Sequence, residues 1–193
     1  MDYLARESSP FENDFWRNID KTVIETASRT LIGRRFLNIY GPLGSGTISV
    51  QYDRNNREEV FESGIVKTSG RKSVELPQLY EDFTLLWRDI ENNEKNKLPL
   101  DLSVVSSAAQ NLANIEDNLI FYGNEFLGVE GILNAKGTQK LKLSDWGVGE
   151  NPYKDIVKAI NMITEKGIVG KITLCLSRGL YFDLQRIQQG TGM

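Results

Sequence analysis

Ile115–Leu133, read IEDNLIFYGNEFLGVEGIL, is the stretch on which the reading of this chain turns. An amphipathic helix runs into Phe121 and Tyr122 and stops at a glycine. Gly123, Gly128 and Gly131 then follow at short, irregular spacing between apolar residues. Glycine punctuation of this kind marks tight backbone turns between packed elements, where a Cβ would clash. An acidic pair, Glu116-Asp117, stands before the glycines and an apolar pair, Ile132-Leu133, after them.

Upstream, Pro99 and Asp101 lead into that helix, whose predicted apolar face is Val105, Ala108, Leu112, Ile115 and Leu119. Burial of each larger side chain contributes about 1.5–3 kcal/mol, so the helix is expected to be central. Before it, Tyr80 to Ile90 alternates Phe83, Leu85 and Trp87 as a strand would, and Glu91 to Lys97 reads as a charged loop. Nearer the N-terminus, Ser9-Pro10 is a helix start, and Trp16, Ile19, Val23, Ala27 and Leu31 recur at helical spacing up to Gly33. Phe36 to Tyr40 reads as a short strand closed by Gly41-Pro42.

From Leu43 to Tyr80 polar and apolar residues alternate, with a turn predicted at Asp53 to Arg57 and a basic cluster at Lys67, Arg71 and Lys72. This is a long two-stranded hairpin with little core of its own. Such a hairpin is marginal alone in water and needs a partner surface. Downstream, Asn151-Pro152 opens a helix carrying Ile156, Val157, Ile160 and Ile163, stopped by Gly167. A strand (Lys171 to Ser177) holding a buried Cys175 and a final helix (Leu180 to Gln189) follow. Helices and strands mix without βαβ repetition, so the class is α+β.

Composition narrows the function. The 193 residues are 40% hydrophobic and 25% charged, with a formal charge of −3. A mild acidic balance argues against non-specific nucleic-acid binding, which needs clustered Lys and Arg. The chain has no histidine, which removes Ser–His–Asp and Cys–His catalysis and histidine-ligated zinc. One cysteine cannot form an intrachain disulfide. MDYLARESSP has no apolar signal region and no run is long enough to span a membrane, so the expected compartment is the cytoplasm. Gly41-Pro-Leu-Gly-Ser-Gly-Thr47 lacks the lysine and the following helix of a phosphate loop. The segment beginning at Asp53 lacks the sixth-position glycine of a calcium loop. Glu58-Glu59 and Glu116-Asp117 are neighbours that point apart and read as solvated. No constellation meets the geometric roles of an enzyme, and no metal site is expected.

The order and spacing of several pieces resemble the encapsulin shell proteins. These pieces are MDYLARESSPF, Trp16, Ile19-Asp20, Leu31-Ile-Gly-Arg-Arg-Phe36, Gly41-Pro42, Phe83-Thr-Leu-Leu-Trp87, Asp101-Leu-Ser103, and Glu116-Asp117 with Phe121, Gly123, Gly128-Val129 and Gly131. The resemblance implies the tailed-phage major-capsid-like fold. Residues 1–42 would form the N-terminal helix and first strand of a peripheral domain, 43–82 an extended loop, 83–125 the rest of the peripheral domain, and 126–193 an axial domain. Chains of the family continue past the point matching Met193, so that axial domain is expected to be incomplete, as in a fragment or a natural truncation.

The function so implied is that of a non-enzymatic subunit of an icosahedral nanocompartment. It would assemble with copies of itself and enclose a cargo enzyme, an iron-storage ferritin-like protein or a peroxidase, through the cargo's C-terminal peptide. Positions matching the family's cargo-docking surface are Leu31, Arg34, Phe36 and Asn38. The cluster Lys67, Arg71 and Lys72 is the expected assembly contact. No resident cofactor is expected beyond a flavin, for which Trp87, with Tyr80 and Arg88, is the candidate stacking site. Two other readings stay open: a secreted bacteriocin- or protease-like protein, since relatives carry such labels, and a phage major capsid protein.

Overall fold

The computed structural model describes residues 5–60 and 64–186, with the side chains of 52–60 and 67–71 outside that description. Its elements in chain order are α1 (Asn13–Thr30), a 3-10 turn (Gly33–Arg35), β1 (Ser49–Val60), β2 (Val66–Glu75), α2 (Trp87–Asn96), α3 (Ser103–Tyr122), β3 (Gly123–Asn124), β4 (Val129–Glu130), α4 (Asn151–Thr164) and α5 (Arg178–Gln185). The mixed α+β class is as expected. Two units divide the chain, Met1–Asn134 and Ala135–Met193.

In the first unit α1 packs on α3. The buried face of α3 is Val105, Ala108, Ala109 and Ala113, and α1 buries Ile19 and Leu31. Leu112 and Leu119 are only half-buried and Ile115 is exposed. Apolar spacing weights the large residues, whereas a close helix crossing is made by small ones that let the backbones approach. Thr26 and Ser106 hydroxyls bond across the crossing at 3.1 Å. The Asp101 carboxylate, one residue ahead of the Leu102 cap position, accepts the Ser103 N–H at 2.9 Å.

The last four carbonyls of a helix have no partner inside it. At the end of α3 all four find one. Leu119 O accepts from Gly123 N, Ile120 O from Ile132 N and Phe121 O from Leu133 N, both at 2.9 Å. Tyr122 O accepts from Asn134 Nδ2 at 2.7 Å. The chain turns out through β3, back through β4 and along the helix end it has just left. Only glycines allow it. A Cβ on Gly123 would lie 2.3 Å from the Val129 carbonyl oxygen, and one on Gly131 would lie 2.3 Å from the Gly123 nitrogen.

Several sequence expectations are corrected. Helix α1 begins at Asn13, not at Pro10, because the Ser9 hydroxyl accepts from Trp16 Nε1 (3.0 Å) and leaves Glu12 as the cap. Phe36 to Tyr40 is not a strand: Arg35, Phe36 and Leu37 donate back to Ile32 and Gly33 carbonyls in a tight turn. The hairpin is present, but its turn is not at Asp53 to Arg57. Those residues lie within β1, where Arg54, Asn55 and Asn56 stand against Gly70 alone, a bulge that absorbs the polar run. The connection falls between Val60 and Val66, partly outside the described residues.

Trp87 to Asn96 is helix where a strand end and a charged loop were predicted. The charges are spaced for a helix: Lys95 bonds Glu91 and Asn96 bonds Asn92, each one turn apart. Lys97 then closes it in the left-handed region (φ 54°). Residues 171–177 carry no strand, and Cys175 is exposed, not buried. No strand among the described residues pairs with this segment. Of the final helix, residues 187–189 lie outside the described residues.

The second unit is organised by a carboxylate. Asp155, buried in the first turns of α4, accepts from the Ser144 N–H (2.8 Å), the Ser144 hydroxyl (2.6 Å) and Trp146 Nε1 (3.0 Å). Pro152 and Trp146 are buried with it, and Arg186 Nη2 bonds the Trp146 carbonyl at 3.1 Å. The predicted apolar stripe of α4 is split. Ile156 and Ile163 are half-buried, while Val157 and Ile160 face solvent.

Two outcomes follow for stability. Gly131→Ala should cost about 1–3 kcal/mol, since its methyl meets rigid backbone. Gly179→Ala, in helix α5 with nothing within 4 Å, should be neutral or stabilising; urea unfolding of both variants checks the contrast. The Ser144 hydroxyl, the Ser144 N–H and Trp146 together hold the Asp155 carboxyl below its ordinary 3.8. A depressed folded pKa contributes stability that is complete above 3.8 and lost as pH falls through the folded value. The stability gap between wild type and Asp155→Asn should therefore be full at neutral pH and close only below pH 3.8, measured by denaturation at a series of pH values.

Candidate functional site

The turn after α1 is where sequence and structure bring functional candidates together. Asp117 on α3 accepts the backbone N–H of Ile32 at Oδ2 (2.8 Å) and of Gly33 at Oδ1 (2.9 Å). Beside it Glu116 takes the Arg34 guanidinium in a two-point pair, Nε to Oε1 at 2.6 Å and Nη2 to Oε2 at 2.7 Å. The acidic pair expected to be merely solvated is thus a clamp on Ile32-Gly33-Arg34. Neighbouring positions on a helix point about 100° apart, and the turn is wrapped over both. Gly33 makes the approach close: a Cβ would sit 2.8 Å from Ile120 Cδ1, the movable tip of that side chain, and 3.2 Å from Asp117 Oδ1.

Of the four expected docking positions, Arg34, Phe36 and Asn38 reach the surface and Leu31 does not. Leu31 is buried and serves the core. The hydrogen bond to Glu116 is the main cause that raises the Arg34 pKa, with the charges of Glu116 and Asp117 adding to it, so the guanidinium stays charged. Phe36 is half-buried with its ring 6.1 Å from that of Phe121. Arg35 places Nη2 on the Arg29 carbonyl at 2.7 Å. Ile32, Leu37, Ile39 and Tyr40 are exposed around them. An oriented cation in an apolar surround suits an extended peptide offering oxygen acceptors and aliphatic side chains.

The other expected sites are placed differently. The strands put Lys67 opposite Glu59 and Arg71 opposite Asp53, whereas Lys72 stands opposite Tyr52. The side chains of Lys67 and Arg71 lie outside those described; Lys72 is exposed. Trp87 begins α2 and is 63% exposed. Its ring partner is Phe11, 6.3 Å away, in a cluster with Phe15 and Trp16. Tyr80 is 74% exposed, and Arg88 lies 3.5 Å from Asp89. Among the described residues no ring contact joins Tyr80 to Trp87. A separate cleft of about 1010 Å³ is lined by residues in and beside α1 and α2, among them Glu12, Asp14, Lys21, Glu25, Glu94 and Lys97. Among the described residues no group of three or more His, Cys, Asp or Glu is placed to hold a metal ion. No helix among them is long and apolar enough to cross a membrane.

The Linocin_M18 family, described as encapsulating protein for peroxidase, matches residues 1–193. A type 1 encapsulin shell protein from Myxococcus xanthus is 38% identical over 100% of this chain and 70% of its own length. A diheme-cytochrome-encapsulin shell fusion protein from Kuenenia stuttgartiensis is 36% identical over 92% of this chain; the match spans 51% of that protein. A virus-like particle from Pyrococcus furiosus is 20% identical, with a TM-score of 0.48 over 78% of this chain and 56% of that one.

The clamp yields a direct test. Asp117→Ala leaves the Ile32 and Gly33 N–H groups without their acceptor, and water reaches the exposed one. A loss of about 1–3 kcal/mol is expected, read from denaturant unfolding. Asp117→Asn, which keeps one acceptor oxygen, should recover part of it.

Proposed function

Since the chain belongs to the Linocin_M18 family of encapsulating proteins, we propose that it is a structural shell subunit that assembles with copies of itself into a closed, capsid-like compartment. The observation that carries the reading is unburied surface. The chain leaves 16121 Å² accessible. One compact body of 21.8 kDa would leave about 9,300 Å², and two separate ones of these sizes about 11,000 Å². Large apolar residues are among those exposed: Phe126 is 96% exposed, Val169 86%. The hairpin of β1 and β2 pairs with no further strand among those described, and a two-stranded ribbon needs a covering surface. Repeated heterologous contacts that close on themselves would supply it. In this reading residues 1–42 and 83–125 form the peripheral part, 43–82 the extended loop and 126–193 the axial part. The role is structural, without catalysis by the subunit, and the compartment lies in the cytoplasm.

Cargo is the second part of the proposal. An extended C-terminal peptide of the enclosed enzyme would dock on the surface of Arg34, Phe36 and Asn38, with its aliphatic side chains on the neighbouring apolar residues. A peroxidase is the cargo class that the family's description favours; a ferritin-like iron-storage protein is the other. Flavin stacking on Trp87 has the exposed indole in its favour, but its support is thinner, because Phe11 and not Tyr80 is the ring beside it.

Purified protein should form hollow particles of uniform size by electron microscopy and light scattering. A monodisperse monomer at micromolar concentration would overturn the assembly reading. Lys72 alone in its cluster lacks an acidic residue opposite it, so Lys72→Glu should shift the bulk of the protein from particles to free subunits without changing its circular dichroism. Unchanged particles would remove the cluster from the contact.

A further inference from the structure

Arg34 is the cation at the docking surface, and the negative charges of Glu116 and Asp117 beside it limit what it can bind. A free guanidinium takes a carboxylate by a two-point pair, the strongest contact available to it. In this chain the side of the fork formed by Nε and Nη2 is already filled by both oxygens of Glu116, at 2.6 and 2.7 Å. What remains is the edge formed by Nη1, which has no partner among the described residues, and the second hydrogen of Nη2; that edge can itself make a two-point pair, so the neighbouring charges and not the count of free N–H groups decide what it takes. The Arg34 side chain is still half exposed while Glu116 is mostly covered, so the pair is reachable from the arginine side. Asp117, one residue on, adds a second negative charge beside the guanidinium while holding the turn's backbone. Arg35 is engaged with a main-chain carbonyl.

From this we infer that Glu116 sets the specificity of the site: it makes Arg34 a donor for a neutral oxygen, a main-chain carbonyl or a side-chain amide or hydroxyl, and rejects a carboxylate at that point of the docked peptide. This rests on the docking reading above. Two charges explain the preference. An incoming carboxylate would meet a guanidinium whose charge is already compensated, with Glu116 and Asp117 nearby to repel it. A carbonyl carries no net charge, meets no such repulsion, and needs only one or two N–H groups. Glu116 is therefore a positioning residue; it fixes the plane of the guanidinium and leaves one edge for the ligand.

The test uses the whole chain, wild type and Glu116→Gln, panned against random octapeptides displayed at a free C-terminus. Wild type should enrich peptides without Asp or Glu at the position that responds to Arg34→Ala. Glu116→Gln removes the competing charge and should favour acidic peptides by about tenfold or more relative to wild type. Glu116→Ala, which adds no amide donor, serves as the second variant should the glutamine disturb folding, and a merely structural role would lower binding of all peptides alike. Enrichment by both proteins with the same charge preference overturns the inference and leaves the docking reading intact. Failure of wild type to enrich any peptide sensitive to Arg34→Ala overturns the docking reading, and the inference with it.

Discussion

Two adjacent carboxylates on one helix hold the first unit's surface in shape. Glu116 and Asp117 bind a turn more than eighty residues earlier in the chain, one through a guanidinium and the other through two backbone N–H groups. Without Asp117 the Ile32 and Gly33 N–H groups would lose the acceptor that ties this turn to α3. Anchored to α3, it becomes part of the same body as the helix crossing beneath it. Gly33 lets the turn approach closely enough for both bonds, and Leu31, just before it, enters the core. The cation at the candidate docking surface is thereby given a fixed direction.

The same helix ends in a second close approach. Its last carbonyls are taken by the returning chain and not by water, and the crossing of Gly123 with Gly131 makes that return possible. One end of α3 is thus tied to α1 and the other to β3 and β4, so α3 carries the unit. What it does not carry is the hairpin. Among the described residues that ribbon pairs with no further strand. Large apolar side chains such as Phe126 and Val169 stand exposed, and the chain belongs to a family of encapsulating proteins.

The site was legible in the sequence only through resemblance. Arg34 and Asn38 are exposed and Phe36 is half-buried, but nothing in local spacing marks Glu116 as the partner of Arg34. The pair was read as solvated because helix geometry sends neighbours in different directions, and no sequence rule says that a distant turn will cover both. Local sequence does not mark Asp155 either: it stands just before Ile156 and Val157 on α4, and its donors, Ser144 and Trp146, come from outside the helix. Its burial follows from those donors.

By itself the sequence determined what depends on neighbours a few residues away. Gly123 and Gly131 announced a close backbone crossing, Asn151-Pro152 the start of α4, and alternating residues from Thr47 a hairpin. The lack of histidine excluded whole classes of catalysis. The tertiary structure decided where local signals tie or need a distant partner. Trp87 to Asn96 became a helix because pairing one turn apart fits its charges, whereas an alternating strand would have needed a ladder. Residues 171–177 have strand-like composition and no strand, since a β-strand exists only by hydrogen bonds to another chain segment, and none among the described residues offers them. Periodicity reports which face a segment can bury; only the fold supplies the surface it is buried against.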